Sequence, residues 1–353
     1  ISSYKRGGVL LKKLLNTLYI TNPDYYLSLD GLNIVVNEKN NEIGRIPLHN
    51  LESIITFGYA GVSPALMGEC AKNNISLSFL SYSGKFLAGI HGTVKGNVIL
   101  RKEQYRISED IRRSTNVAKN FITGKIFNSK WIIERAIRDY PLRLDVEKLK
   151  KKSQFLSNSL KMIRNINGLE ELRGIEGEAA SVYFSVFDDL ILQQKDAFIF
   201  KNRNKRPPLD YVNAMLSFSY SLLASMCASA LETVGLDPYV GFLHRDRPGR
   251  ISLALDLMEE LRAVYADRFV LTMINKKIIN ESDFIKRENE SVIMTDEGRK
   301  EFLKQWQNKK QEVIKHPFLD EKVEWGMIPY VQALLLARYI RNDLDEYPPF
   351  LWK

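Results

Sequence analysis

The hydrophobic residues of this chain change their period near residue 100, and that change does most to limit what it can fold into. From about Leu15 to Leu100 the apolar runs are short, rich in β-branched and aromatic residues, and broken by turn-forming stretches such as LDGLN, LSYSGKF and IHGTVKGN. Such a pattern specifies strands, and ISLSFLS, with its alternating residues, reads as a half-buried one. One stretch reads instead as a helix. In SPALMGECAKNN, Ser63 is placed to cap it, Leu66 and Cys70 stand four apart, and Asn73 and Asn74 suit its end. Beyond Arg106 the period becomes helical, first in SEDIRRSTNVAKNFITGKIFNSKWIIERAI, where Ile111, Val117, Phe121, Ile122 and Ile126 mark one side. Nearly everything downstream is expected to be helical, in segments joined by Pro-, Gly- or charge-rich links. The fold class that follows is α+β, with a small β-rich N-terminal domain (12–104) and a larger all-helical domain (105–353) meeting near residues 101 to 108. The opening ISSYKRGG has no periodicity, so residues 1–11 read as a loose tail or cloning remnant.

Two domains suit a chain of 353 residues, and 45% hydrophobic with 26% charged content is that of a globular protein. No apolar run is read as approaching the roughly 18 residues of a membrane span, and no secretory leader is recognised, so a cytoplasmic protein without a membrane partner is expected. Cys70 and Cys227 lie far apart and suit buried thiols in a reducing compartment. The net charge of +9 favours a polyanionic partner, and its clustering says more than its size. Lys201, Arg203, Lys205 and Arg206 fall within KNRNKRPP, and Arg245, Arg247 and Arg250 within HRDRPGR; each run is either a nucleic-acid contact or a solvated loop.

Three places put polar chemistry on apolar faces. In GIEGEAASVYF, Glu176 shares a helical face with Leu172, Ala180, Tyr183 and Phe187, and Gly174 and Gly177 beside it suggest close approach of a neighbouring backbone. A carboxylate in that position must be paired, for instance with Arg173, or serve as a metal ligand or general base. His244 stands between the apolar YVGFL and the second basic run and is either structural or catalytic. Seven residues on, ISLALDLMEELRA places Asp256 and Glu259 three apart on one face beside a core stripe of Leu253, Leu257 and Leu261. These acids read as a solvated stripe or as ligands, while Glu260 and Arg262 read as ordinary surface partners. Two carboxylate-bearing helices and a histidine form a set suited to Mg²⁺ or Mn²⁺, and a hard cation within a basic surround points to phosphate. In KRPPLDYVNAMLSFSYSLL, deep burial is expected for Leu209, Val212, Leu216 and Leu223, with Asp210, Asn213 and Ser217 as a polar seam that hydrogen-bonds adjacent helices.

With LRGIEGEAASVYF, RPPLDYVNAMLSFSYSLL, GLDPYVGFLHRDRPGRISLALDLMEELRA and TDEGRKEFL in that order, and YLSLDGLNIVV, IPLHNLESIITFG and ISLSFLS before them, the sequence resembles CRISPR-associated protein one, in a form similar to that of subtype I-C. The resemblance covers about residues 12 to 345. It implies that Glu176, His244 and Glu259 are catalytic metal ligands for Mg²⁺ or Mn²⁺, with Asp256 as metal-proximal support. It further implies a homodimer formed through the β-rich domain, assembly with CRISPR-associated protein two, and binding of double-stranded DNA, both prespacer and CRISPR repeat. The reaction implied is attack of a prespacer 3′-hydroxyl on a repeat-boundary phosphodiester. The rivals to this expectation are a transposon integrase of the same fold, a catalytically silent DNA-binding scaffold, and a nuclease acting on branched DNA.

Overall fold

The computed structural model describes residues 17–353 except 21, 40, 52, 59, 74, 82–85 and 91–97. The tail expected at 1–11 and most of the LSYSGKF and IHGTVKGN turns lie outside the described residues. Eight strands build two four-stranded sheets: β1 (Thr17–Ile20), β2 (Tyr25–Asp30), β3 (Asn33–Glu38), β4 (Asn41–Pro47), β5 (Ser53–Phe57), β6 (Gly61–Val62), β7 (Ser76–Leu80) and β8 (Phe86–Ile90). The first sheet runs β4-β3-β2-β6, and its β2–β3 hairpin turns through Gly31 at φ +57°, where a side chain would be strained. The second runs β1-β5-β7-β8, parallel except for β8. Between β6 and β7 lies α1 (Pro64–Lys72), capped by Ser63, whose Oγ accepts the Leu66 amide hydrogen at 3.2 Å. Leu27 and Ile34 of one sheet, Ile54 and Leu77 of the other, and Leu66 and Cys70 of α1 close a small core.

The second sheet is covered on both faces. Ile54 and Leu77 point into that small core, while Ile55, Phe57 and Leu80 join the larger helical one. Strand β7 is therefore more buried than its alternation suggests. Ser78 is 2% exposed, and its Oγ meets Ser225 Oγ at 3.5 Å, as Ser76 meets Ser229 at 3.1 Å. Serines at both ends let a helix lie close on the sheet, and Phe57 packs on Phe218 with ring centroids 5.6 Å apart.

The helices are α2 (Val98–Glu109), α3 (Ile111–Asp139), α4 (Val146–Ile163), α5 (Leu169–Phe184), α6 (Tyr211–Thr233), α7 (Ser252–Leu261), α8 (Arg268–Asn275), α9 (Asp296–Gln311) and α10 (Ile328–Ile340). Their starts follow sequence signals: Asp110, Asp145, Asp210 and Thr295 accept amide hydrogens at the N-termini of α3, α4, α6 and α9. Helix α2 runs through residue 104, where the division between domains was expected, and Gln104 Nε2 donates to the carbonyls of Asp237 and Val240. The helical part also holds two short hairpins, β9–β10 (Phe284–Lys286 with Val292–Met294) and β11–β12 (Val313–Lys315 with Lys322–Glu324). Three-residue strands are too brief to show a period, so the sequence reads as helical throughout.

Two further expectations change. Helix α6 is long and apolar enough to cross a membrane by length and composition, but 67% of its apolar window is buried within the protein. Val212, Leu216 and Leu223 of this stretch are fully buried, whereas Leu209, before the helix starts, is 47% exposed. Both cysteines are buried free thiols.

Candidate metal and phosphodiester site

Helix α5 buries Leu172, Ile175, Ala179 and Tyr183, spaced by three and four residues. Glu176 sits at the edge of that stripe with its side chain 26% exposed, and Ala180, expected in the core, is only half-buried. The flanking Gly174 and Gly177 are exposed, with nothing within 4 Å of where a Cβ would stand, so they do not bring a neighbouring backbone close. The close approach occurs on α3. A Cβ on Gly124 would lie 2.6 Å from Glu260 Cβ, so this glycine lets α3 pass tightly against α7.

The next residue uses that proximity. Lys125 Nζ is bonded to Glu176 Oε1 and lies 2.6 Å from Glu259 Oε2, joining carboxylates from α5 and α7 at one cation. Glu259 also accepts from Arg262 at 2.7 and 3.0 Å. Burial alone would raise the Glu259 carboxyl, yet Arg262 and Lys125, with a smaller contribution from nearby His244, hold it well below the usual carboxylate range. The partner of Glu176 is thus Lys125, while Arg173 bonds to Glu170 and to the Leu243 carbonyl.

His244 is oriented from behind. Its Nδ1 lies 2.5 Å from Asp256 Oδ1, and the same fully buried carboxylate accepts the amide hydrogens of Phe242, Leu243 and His244 at 2.7, 2.9 and 3.0 Å. Asp256 therefore shapes the loop and fixes the ring, which leaves Nε2 as the nitrogen available to a ligand. Gly241 is required here because a Cβ would fall 2.8 Å from Asp256 Oδ2. Neither Asp256 nor Glu259 forms a solvated stripe; they are 0% and 5% exposed.

Glu260 and Arg262 are not surface partners. Glu260 is fully buried, accepting from Tyr347 Oη, from Gln332 Nε2 at 3.0 Å and from the Phe350 amide at 2.8 Å. Burial pushes its carboxyl up to about 7, although those bonds oppose the rise. Through Glu260 the C-terminal segment braces the back of α7 while Glu259 faces the site. Arg262 begins a π-helical stretch, Arg262–Asp267, and lies over the Tyr220 ring at 4.3 Å. A narrow cavity beside it is lined by Lys125, Ala180, Tyr183, Tyr220, Arg262 and Asp267.

The basic candidates divide. Lys201, Lys205, Arg206, Arg245 and Arg247 are exposed and Arg250 is half-buried. Arg245 pairs with Glu170 at 2.6 Å. Arg203 turns inward: its guanidinium donates to Asn213 Oδ1 at 2.7 Å and Ser217 Oγ at 3.0 Å, and burial lowers its pKa. The seam of Asp210, Asn213 and Ser217, expected to bond adjacent helices, instead pins the 201–206 loop, and Arg203 serves as that anchor. Lys205 lies near the site, where partial desolvation, then the charges of Arg262 and Arg203, press its ammonium below the usual lysine range.

Sequence reasoning missed Lys125, Gly124 and the inward role of Arg262. A signal existed for Lys125, which follows Ile122 by three and Phe121 by four and so falls in the apolar stripe of α3, like the charge singled out at Glu176. Among the described residues, no three His, Cys, Asp or Glu side chains converge as a metal-binding group; the Lys125 nitrogen stands between Glu176 and Glu259.

The chain matches the family model for CRISPR associated protein Cas1 over residues 18–308. It is 46% identical over 343 residues to the CRISPR-associated endonuclease Cas1 1 of Chlorobaculum tepidum, covering 97% of this chain and 100% of that one. Among solved structures, a casposase bound to its integration product matches with a TM-score of 0.82 at 24% identity, over 96% of this chain and 94% of that one. A chain of the Cas6-RT-Cas1–Cas2 complex matches with a TM-score of 0.82 at 19% identity, over 100% of this chain but 37% of that one. Identities this low carry the fold alone, whereas the family match and the near-complete alignment at 46% identity carry more: the chain belongs to the Cas1 family of CRISPR-associated proteins.

Proposed function

We propose that the chain is a divalent-metal-dependent DNA endonuclease and integrase that joins prespacer DNA to a CRISPR repeat. The observation that carries this reading is the meeting of Glu176 and Glu259 at a single cation, beside an imidazole oriented by a buried carboxylate. Two carboxylate oxygens and an imidazole nitrogen form a donor set suited to Mg²⁺ or Mn²⁺, with Glu176, Glu259 and His244 Nε2 as the holding atoms. A bound divalent ion would supply charge neutralisation on the phosphodiester and a lowered pKa for the attacking hydroxyl or water.

The protein's own residues do the remaining work. Asp256 keeps the His244 ring in one tautomer and one orientation, and Arg262 keeps Glu259 ionised. Lys201, Lys205, Arg206, Arg245 and Arg247, which are exposed, and the half-buried Arg250 are the candidates to hold the DNA backbone through phosphate contacts with little base readout. In the joining step the prespacer 3′-hydroxyl gives up its proton and its oxygen bonds to the phosphorus at the repeat boundary, while the 3′-oxygen of the flanking nucleotide across that boundary leaves and takes a proton. One phosphodiester is exchanged for another, so no nucleotide energy source is needed. Cas2 as partner is supported by the Cas1–Cas2 assembly among the fold relatives. The homodimer through the two-sheet region and a cytoplasmic location belong to the same proposal. The likeness to a casposase favours a second reading, a transposon-type integrase of the same fold. The near-complete alignment with a Cas1 protein outweighs it.

The test is strand transfer of a short duplex with free 3′-hydroxyls into a plasmid carrying a leader and repeat, with Mn²⁺, with and without Cas2. Joining at the repeat boundary by the wild type and not by His244→Ala supports the reading. DNA binding without joining under any metal condition refutes it in favour of the scaffold, and joining indifferent to the repeat favours the transposon-type alternative.

A further inference from the structure

The cation now seated between the two carboxylates is part of the protein. Lys125 Nζ bonds to Glu176 Oε1 and stands 2.6 Å from Glu259 Oε2, with its side chain 11% exposed. Its position is built in. At Gly124 an added Cβ would lie 2.6 Å from Glu260 Cβ and hold α3 away from α7, and Lys125 follows it directly. Charge at the seat is balanced, because two carboxylates face two cations, Lys125 and Arg262. A divalent ion added to that set without displacing either cation would face two positive charges in a poorly solvated place, which like charges disfavour. Arg262 is stacked on Tyr220 at 4.3 Å and begins a π-helical turn, so it has little freedom to leave. Lys125, on a flexible four-carbon stem, is the cation free to move.

We propose that the Lys125 ammonium is the resident cation of the metal-free seat, and that a divalent ion binds by displacing it from Glu176 and Glu259. The inference rests on the metal reading above. In the metal-free protein, Lys125 keeps the two carboxylates from repelling each other and preserves their spacing. In the loaded protein, the displaced ammonium loses both partners while staying beside the site, where its natural complement is a phosphate oxygen of the DNA. Metal loading and DNA binding are then coupled through one side chain, each favouring the other.

The test is calorimetric titration of the full chain with Mn²⁺ alone, comparing wild type, Lys125→Met and Lys125→Arg. Lys125→Met should bind Mn²⁺ about tenfold more tightly than wild type, a coupling of ordinary size. Its metal-free form should melt lower, and it should gain more in Tm on saturation with Mn²⁺. Lys125→Arg keeps a cation at the seat and should bind no more tightly than wild type, which preserves the test if the Met variant does not fold. By fluorescence anisotropy, Mn²⁺ should raise the affinity of wild type for a short duplex by a larger factor than that of Lys125→Met. Equal or weaker Mn²⁺ binding by a folded Lys125→Met, or tighter binding by Lys125→Arg, overturns the displacement while leaving the metal site standing. A wild type that binds neither Mn²⁺ nor Mg²⁺ overturns both.

Discussion

Replacing Gly124 by alanine sets two physical effects of opposite sign against each other. Glycine within a helix costs about 1 kcal/mol relative to alanine, so at an open position the change would stabilise the protein by that amount. Gly124 is not open. The added Cβ would lie 2.6 Å from Glu260 Cβ, 3.3 Å from its Oε2 and 3.4 Å from its Cα. Carbon atoms in contact prefer about 3.5–4.0 Å, so α3 and α7 must part by roughly 1 Å. The atom in the way is next to the backbone, and its side chain is tied to Tyr347, Gln332 and Phe350, so rotation of a flexible end cannot relieve the contact. Overpacking of this kind costs about 1–3 kcal/mol, and the lack of relief places Gly124→Ala at the upper end, for a net loss of about 2 kcal/mol. The same movement lengthens the 2.6 Å contact of Lys125 with Glu259 and shifts Glu259 itself, so Mn²⁺ affinity should change as well. Urea unfolding followed by far-UV circular dichroism, together with a Mn²⁺ titration, measures both. A Gly124→Ala protein that is more stable by about 1 kcal/mol would refute the close approach of the two helices and with it the reason Lys125 reaches the seat.

The neighbouring glycines of α5 provide the opposite expectation: Gly174→Ala and Gly177→Ala each meet open space and should each raise stability by up to about 1 kcal/mol, and a loss in urea unfolding would contradict that placement. Asp256→Asn removes the carboxylate that orients the His244 ring and should lower metal affinity or strand transfer about 10–100-fold while leaving DNA affinity measured without metal near wild type; unchanged joining would dismiss Asp256 from its positioning role. His316, 1% exposed, has its imidazole lowered from 6.5 to about 4 by burial. A folded pKa below the unfolded one means the unfolded chain binds the extra proton first, so this contribution is intact above about pH 6.5 and is lost as pH falls towards 4. It should amount to up to about 3 kcal/mol, and identical stability profiles for wild type and His316→Asn across pH 4–7 would refute it.

Much of the architecture is legible in the sequence because it is decided by neighbours a few residues apart. Ser63, Asp110, Asp145, Asp210 and Thr295 mark helix starts, since each caps an amide two or three residues on. The change of period near residue 100 marks where sheets give way to helices. The brief hairpins and the helix through residue 104 were not legible, because three-residue strands have no period and Val98–Glu109 lacks a clear start signal.

The site divides in the same way. The sequence by itself determined which side chains are anomalous: Glu176 and His244 where apolar residues belong, Asp256 and Glu259 on one face of one helix. Tertiary structure alone decided what each faces. It turned Asp256 onto the back of the His244 ring, buried Glu260 under the C-terminal segment, drew Arg203 inward to Asn213, and set Lys125 between two carboxylates, the first of them 51 residues away. Local spacing fixes the face on which a charge stands, but its partner depends on how closely two helices pack, and here that rests on the missing Cβ of Gly124.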